Sequence, residues 1–309
     1  MSDMEIIEGT KGKRPHGSRP SEEKAARVRE LHPCFGARKN RGRIHLPVCP
    51  GCNLACKFCD RSRNDVENRP GVTRAVIEPE EAADYIGRAL TFCPELSVVG
   101  IAGPGDTLAS DRALETFRLI GARYPQLLKC MSTNGLLLDE RADEVIAVGV
   151  DTLTVTVNAV DPAIEAQIID GLVYHGRHYK GEAAGELLIR HQLAGIRKIA
   201  AAGIVVKVNT VLINEINRFH IPAIAKAVAE AGATMYNIIP LIPQHELKYC
   251  AAPSCVDLAL ARQEAGKYID VFRHCQHCRA DAVGVPGRSE FGREVYQGGL
   301  RVRETFSHG

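Results

Sequence analysis

Six short apolar runs, separated by stretches of helical periodicity, constrain this chain more than any other feature of it. The runs cover residues 43–49, 96–103, 127–132, 152–158, 205–213 and 235–241. Apolar residues recur at helical spacing across 80–90, 111–124, 140–148, 182–202 and 219–231. Parallel strands need long crossover connections, so strands alternating with helices of this length predict βαβ units and a parallel sheet. At least six such units favour an α/β fold, a complete or partial (β/α) TIM-like barrel, whose functional residues collect at the C-terminal strand ends. Asp139 is placed to cap the third helix and Gly149 to terminate it. A further helix is predicted over 256–268, feeding a short strand before Cys275.

A chain of 309 residues with 45% hydrophobic content can bury a sizeable core. Its formal charge of +2 is too small to imply a nucleic-acid partner. There is no run of 18 apolar residues and no apolar signal core, so the expectation is a cytoplasmic protein with no membrane partner. The organisation read from composition is a flexible arm over 1–30, with a short helix across 22–29, then a barrel body over 31–290 and a tail over 291–309.

Eleven cysteines in such a chain point to metal rather than to a disulfide framework. Cys52, Cys56 and Cys59 form a CxxxCxxC motif directly after the first strand. Thiolates select zinc or iron–sulfur, and zinc in a structural site wants a fourth ligand at matching spacing. Only three align here, because Cys49 is too close in sequence. A [4Fe–4S] cluster on three cysteines keeps one iron open to a small ligand, and a zinc knuckle is the competing reading. Gly100 to Asp106 (GIAGPGD) follows the second strand, where its glycines permit close backbone approach or simply a turn. A second pair, Cys275 and Cys278, sits in RHCQHCRADAVG and reads alone as a redox, zinc or iron–sulfur CxxC. His45 and Cys49 share one face of the first strand, and Cys130 and Ser132 one face of the third. A hydrogen-bonded strand histidine and an apolar core thiol are the plain alternatives for His45 and Cys130. Asn134, Asn158, Asn209 and Asn237 fall at or near strand ends as ligand donors or turn residues. Cys93, Cys250 and Cys255 have no partner at ligand spacing.

CxxxCxxC in this position resembles the radical S-adenosylmethionine superfamily, in which the open iron binds the amino and carboxylate groups of the nucleotide. Phe58 matches the aromatic common between the last two cysteines. Gly103, Gly105 and Asp106 match the stretch that contacts the methionine part, and Asn134 and Asn158 are read as further nucleotide contacts. A narrower resemblance rests on HPC at 32–34, RIHLPVCPGCNLACKFCDR at 43–61, RPGV at 69–72, STNG at 132–135, TVTVNAVDP at 154–162, KVNTVLI at 207–213, NIIPLI at 237–242 and RHCQHCRADAVG at 273–284. Together these are similar to the NifB family of nitrogenase cofactor maturases, over roughly residues 32–290.

That resemblance implies a SAM-cleaving [4Fe–4S] cluster on Cys52, Cys56 and Cys59, and two further [4Fe–4S] clusters as substrates. Cys275 and Cys278 match the pair holding one of these, and His45 and Cys130 match two ligands of the other. Methyl transfer to a cluster sulfide, then hydrogen abstraction by a 5′-deoxyadenosyl radical, would deliver the carbide of an eight-iron precursor. Arg279 and Asp281 would orient the CxxC or balance its charge. The implied partners are a small electron donor of ferredoxin or flavodoxin type, an iron–sulfur donor protein and a separate carrier or scaffold protein. The last is expected because the chain stops at Gly309, without the family's frequent carrier-like domain. One departure stands out: the family's third cysteine between the cluster motif and RPG is absent from 60–68. Asp65 as an oxygen ligand, Cys49 or Cys34 as a replacement thiol, or fewer ligands all remain open, and the strand parity with His45 favours Cys49. The alternatives for the whole chain are another radical SAM reaction, such as methyl transfer or peptide modification, and a non-catalytic iron–sulfur carrier.

Overall fold

The computed structural model describes residues 22–35 and 40–296, together with the backbone of 304–305. Most of the arm and most of the tail expected from the sequence lie outside the described residues, as do residues 36–39.

The first helix, α1 (Glu22–Leu31), precedes β1 (Gly42–His45), and the loop after β1 carries β2 (Leu54–Cys56), β3 (Ser62–Arg63) and β4 (Val72–Thr73). The βα alternation then runs α2 (Ala82–Phe92), β5 (Leu96–Ile101), α3 (Arg112–Arg123), β6 (Leu128–Thr133), α4 (Leu138–Ala147) and β7 (Thr152–Thr156). A short helix α5 (Pro162–Ile168) and the hairpin β8 (Ile169–Tyr174) and β9 (Arg177–Tyr179) interrupt it. It resumes with α6 (Gly181–Ala201), β10 (Val205–Leu212), α7 (Ile221–Glu230), β11 (Met235–Pro240), α8 (Cys255–Ala265) and β12 (Val271–Phe272). The chain closes with β13 (Val283–Gly284), α9 (Gly292–Val295) and β14 (Glu304–Thr305).

Eight strands make one sheet in the order β12-β11-β10-β7-β6-β5-β1-β13. Its pairs are parallel except that β13 runs antiparallel to β1, which makes this the partial barrel of the sequence reading. The helices cover it with apolar stripes. Ala82, Ile86 and Ala89 of α2 are buried at spacings of four and three, as are Ala113, Phe117 and Ile120 of α3.

Three boundaries depart from the sequence reading. The first strand stops at His45, because Pro47 has no N–H to offer a ladder. Beyond it the chain makes only scattered contacts, such as Leu46 N–H to the Gly100 carbonyl at 2.8 Å. Asp139 is no cap: it lies in the first turn of α4, which begins after Leu137, and its carboxylate pairs with Lys198 at 2.7 Å. Gly149 ends α4 as expected, at a φ of 73°. The unforeseen α5 starts from Asp161, whose side chain accepts the Ala163 and Ile164 N–H groups, with Pro162 in the first turn.

One buried ion network fastens the C-terminal segment to the rest. Asp281 is fully buried and pairs with Arg279 Nε at 2.8 Å and Arg74 Nη1 at 3.2 Å, while accepting the Arg74 backbone N–H at 2.5 Å. Arg279 continues outward to the carbonyls of Glu67 and of Asn64, the latter at 2.7 Å. Removing one member of such a network leaves a buried charge unpaired. Asp281→Ala is therefore expected to lower stability by about 3–5 kcal/mol, read as a lower urea midpoint at unchanged slope.

Candidate metal centre

Cys52, Cys56 and Cys59 sit on the loop that leaves β1, and two contacts set its course. Gly105 N–H donates to the Cys49 carbonyl at 2.6 Å and Asp106 N–H to the Gly51 carbonyl at 2.9 Å. A Cβ on Gly105 would land on the Gly51 carbonyl, so only glycine admits this approach. On the other side Cys56 pairs in register with Ile169, and Lys57 N–H reaches the Ile168 carbonyl at 2.9 Å. The loop is thus clamped between the second βα turn and the β8 hairpin.

The three thiols lie within one another's electrostatic reach, and the buried Arg61 guanidinium acts on all three. Burial, then the Asp106 carboxyl, pushes the Cys52 thiol up to about 12. Burial raises Cys56 and Cys59 as well, Cys56 further through the other two sulfurs. Such thiols are protonated without metal and give up their protons on binding it. Polar atoms beside them are left over. Asn53 Nδ2 and Gln192 Oε1 are buried with no hydrogen-bond partner among the described residues, and the buried Glu165 carboxyl, whose charge acts on Cys56, has only the Ala159 backbone beside it. Burial pushes the Glu165 carboxyl up to about 8. Neither periodicity nor motif pointed to Asn53, Gln192 or Glu165.

The expected nucleotide contacts divide. Asn134 Nδ2 reaches Asn53 Oδ1 at 2.7 Å and Cys52 Sγ at 3.8 Å, which keeps it at the centre. Gly103 takes a φ of 125°, a conformation that favours glycine. Asp106 is a buried tie: its carboxylate accepts Thr133 Oγ1 at 2.9 Å, Asn134 N–H at 2.5 Å and Leu108 N–H at 2.9 Å. Asn158 is likewise committed internally, accepting Val211 N–H at its Oδ1 at 2.9 Å. Phe58 packs beside Ile168, Ile213, Leu241 and Leu247, with Gln244 donating to its carbonyl at 3.1 Å.

A second group of histidine and cysteine side chains gathers at the sheet's interior. His45 Nδ1 faces the Arg279 carbonyl at 2.9 Å; that bond requires the proton on Nδ1 and leaves the Nε2 lone pair for a metal. The ring lies over Gly100, where a Cβ would come within 2.8 Å of His45 Cδ2. Burial, then Arg43, pushes this imidazole down to about 4, so it is neutral at ordinary pH. Burial also pushes the Cys34 thiol up to about 11, and Lys207, Cys278, Cys130 and Cys275 lie within its electrostatic reach. Cys34 and Cys130 belong to one apolar cluster with Phe35, Val98, Leu128 and Val205. Cys278 Sγ accepts Arg43 Nη2 at 3.3 Å and opens on a cavity of about 380 Å³ shared with Asp65, Glu67, Arg279 and Glu290. Asp65 also reaches Arg293 at 3.4 Å.

Cys49 does not join this group. It is fully buried on the core side toward α3, where its neighbours are Asp106, Arg112 and the Ala113 N–H, and burial pushes its thiol up to about 12. The strand ends at His45, so alternation no longer links Cys49 to it. The structure therefore places Cys49, the favoured replacement for the absent cysteine, apart from His45 and Cys130, whereas Cys34 lies with Cys130 and Asp65 lines the cavity at Cys278. Among the described residues, no three His, Cys, Asp or Glu side chains close to the spacing of a single bound ion.

Residues 46–228 match the model of the Radical SAM superfamily. Over 278 residues the chain is 44% identical to the FeMo cofactor biosynthesis protein NifB of Methanocaldococcus infernus, across 89% of this chain and 92% of that one. The chain belongs to the NifB family. A NifB from Klebsiella pneumoniae is 40% identical over 297 residues, which is 93% of this chain and 64% of that longer one. The structure of Streptococcus suis SuiB superposes with a TM-score of 0.51 at 12% identity, covering 81% of this chain and 52% of the other, and supports the fold alone. Membership of NifB within the superfamily makes this a radical SAM enzyme, with a [4Fe–4S] cluster and S-adenosylmethionine as its cofactors. The residues present fit those groups: three thiols on one clamped loop with no fourth ligand of the motif, and unpaired buried polar atoms around it. No described helix is long and apolar enough to cross a membrane.

Two substitutions separate the loop from the core thiol. Gly105→Ala must displace the cluster loop, and anaerobic reconstitution should then give protein lacking the iron of that loop. Cys49→Ala should retain the full wild-type iron content and lose about 1 kcal/mol of stability through a small core cavity.

Proposed function

We propose that this enzyme is a nitrogenase cofactor maturase, which joins two [4Fe–4S] substrates around a carbon from S-adenosylmethionine to form an eight-iron precursor. The observation that carries the reading is the second group of side chains. Cys34, His45, Cys130, Cys275 and Cys278 come from distant parts of the sequence to one interior, separately from the cleavage triad. In this reading the second set holds the iron–sulfur substrates, apart from the triad that would hold the cleavage cluster.

When bound to the reduced cluster, S-adenosylmethionine supplies the one-carbon unit and the radical chemistry. The chain's own residues do the positioning. Cys52, Cys56 and Cys59 would hold the cluster, and Asn134 and Asn53 present amide groups beside Cys52 for the nucleotide. His45 and Cys130 are assigned to one substrate cluster, with Cys34 or Asp65 as the candidate third ligand. Cys275 and Cys278 are assigned to the other, with Arg43 donating to the Cys278 sulfur to offset thiolate charge. An electron donor of ferredoxin or flavodoxin type, an iron–sulfur donor and a carrier or scaffold for the product are the partners this chemistry requires.

Anaerobic iron quantification with electron paramagnetic resonance tests this. Wild-type protein should hold about three four-iron clusters, and a Cys275→Ala/Cys278→Ala variant should lose about one while still cleaving S-adenosylmethionine. Wild-type protein that cleaves S-adenosylmethionine but yields no eight-iron product would instead support a different radical SAM reaction. Retained clusters without any cleavage would support a carrier.

A further inference from the structure

Lys207 is a buried lysine with no carboxylate partner among the described residues. It lies mid-sheet on β10, in register with Thr154 of β7 and Met235 of β11, and is only 7% exposed. Its ammonium group stands 4.9 Å from the centre of the Phe35 ring and 5.4 Å from that of Phe272. Among the described residues no carboxylate comes within ion-pair distance of it. Asp151 pairs with Arg27 and accepts the Lys129 N–H, and Asp281 is committed to Arg74 and Arg279. Two aromatic faces make up only part of what an ammonium loses on leaving water. The group calls for a negative neighbour.

His32 adds an independent donor to the same space. Its Nδ1 accepts the Cys34 N–H at 3.1 Å, so the proton is on Nε2, and Nε2 is buried with no partner among the described residues. The charge of Lys207 acts on His32, Cys34, His45 and Cys130 alike. Two unanswered donors therefore face two thiols and a histidine lone pair. Thiols become thiolates when they ligate iron, and the sulfides of an iron–sulfur cube accept hydrogen bonds. Such an occupant supplies the missing acceptors and the missing charge together.

We propose that Lys207, seconded by His32, is the positive pole that holds the iron–sulfur substrate beside Cys34, His45 and Cys130, donating to its sulfide and thiolate edge. This rests on the reading that the interior group holds an iron–sulfur substrate. Lys207 is a positioning residue, touching neither S-adenosylmethionine nor the cleavage triad.

The test uses the full chain, with and without anaerobic reconstitution by ferrous iron and sulfide, as wild type, Lys207→Met and Lys207→Arg. Methionine keeps the apolar stem between the two rings and deletes the charge. Without iron, Lys207→Met should melt at or above the wild-type temperature, because an uncompensated cation is gone. After reconstitution it should lack about four irons and show a smaller rise in melting temperature than wild type, with Lys207→Arg recovering both. Wild-type iron content and an equal rise on loading in Lys207→Met would overturn the proposal. So would a lower melting temperature of iron-free Lys207→Met, or equal iron loss in both variants, since either marks a packing role. Wild-type protein that itself holds only the cleavage cluster would refute the maturase reading, and this proposal with it.

Discussion

The buried carboxylate of Asp281, shared between Arg279 and Arg74, is the tie that places the C-terminal cysteine pair against the first strand. Arg279 directly follows Cys278, so the ion network sets where the cysteine pair lies. Its backbone carbonyl also takes the His45 Nδ1 proton, which fixes the tautomer of a side chain on the first strand. Arg74 and the carbonyls of Asn64 and Glu67 bring the segment after the cleavage triad into the same knot. One carboxylate thereby co-ordinates a strand, a loop and a distant C-terminal motif. The second half of the CxxCRAD sequence is the structural anchor of the first half.

The cleavage loop is held by a different principle, close backbone approach rather than charge. Gly105 lets two peptide chains meet where no side chain fits, and Asp106 carries the contact onward to Thr133 and Asn134. The glycine-rich turn therefore shapes the metal loop from outside, through its main chain. Its polar residue looks inward at the protein, whatever its glycines present to a ligand.

The alternation of strands and helices was legible because periodicity registers wherever a segment spans several turns or alternations. It failed where segments are short. The seven-residue α5 offers less than two turns of pattern, and β8 pairs with a strand only three residues long. The cleavage triad was legible from spacing, since its ligands sit on one loop. The distant pair was visible as a CxxC, and strand alternation put His45 and Cys130 on shared faces, but their grouping as ligands came from family resemblance, because spacing within the chain says nothing about side chains that meet across a barrel. Cys49 misled for a definite reason: alternation holds only within a strand, and Pro47 ends this one. Lys207 gave no signal at all, since a lysine between valines in a strand reads as a solvent-facing residue until the burial of both faces is known.

The antiparallel strand β13 sits at the edge of the sheet against β1, and between β12 and β13 runs the segment bearing Cys275 and Cys278. The ribosome therefore completes the cleavage loop long before it makes the wall of the interior site. The two cysteine groups are thus separated in order of synthesis as well as in space: the first lies in the opening βα unit, and the second is placed only when the last strand of the sheet is made.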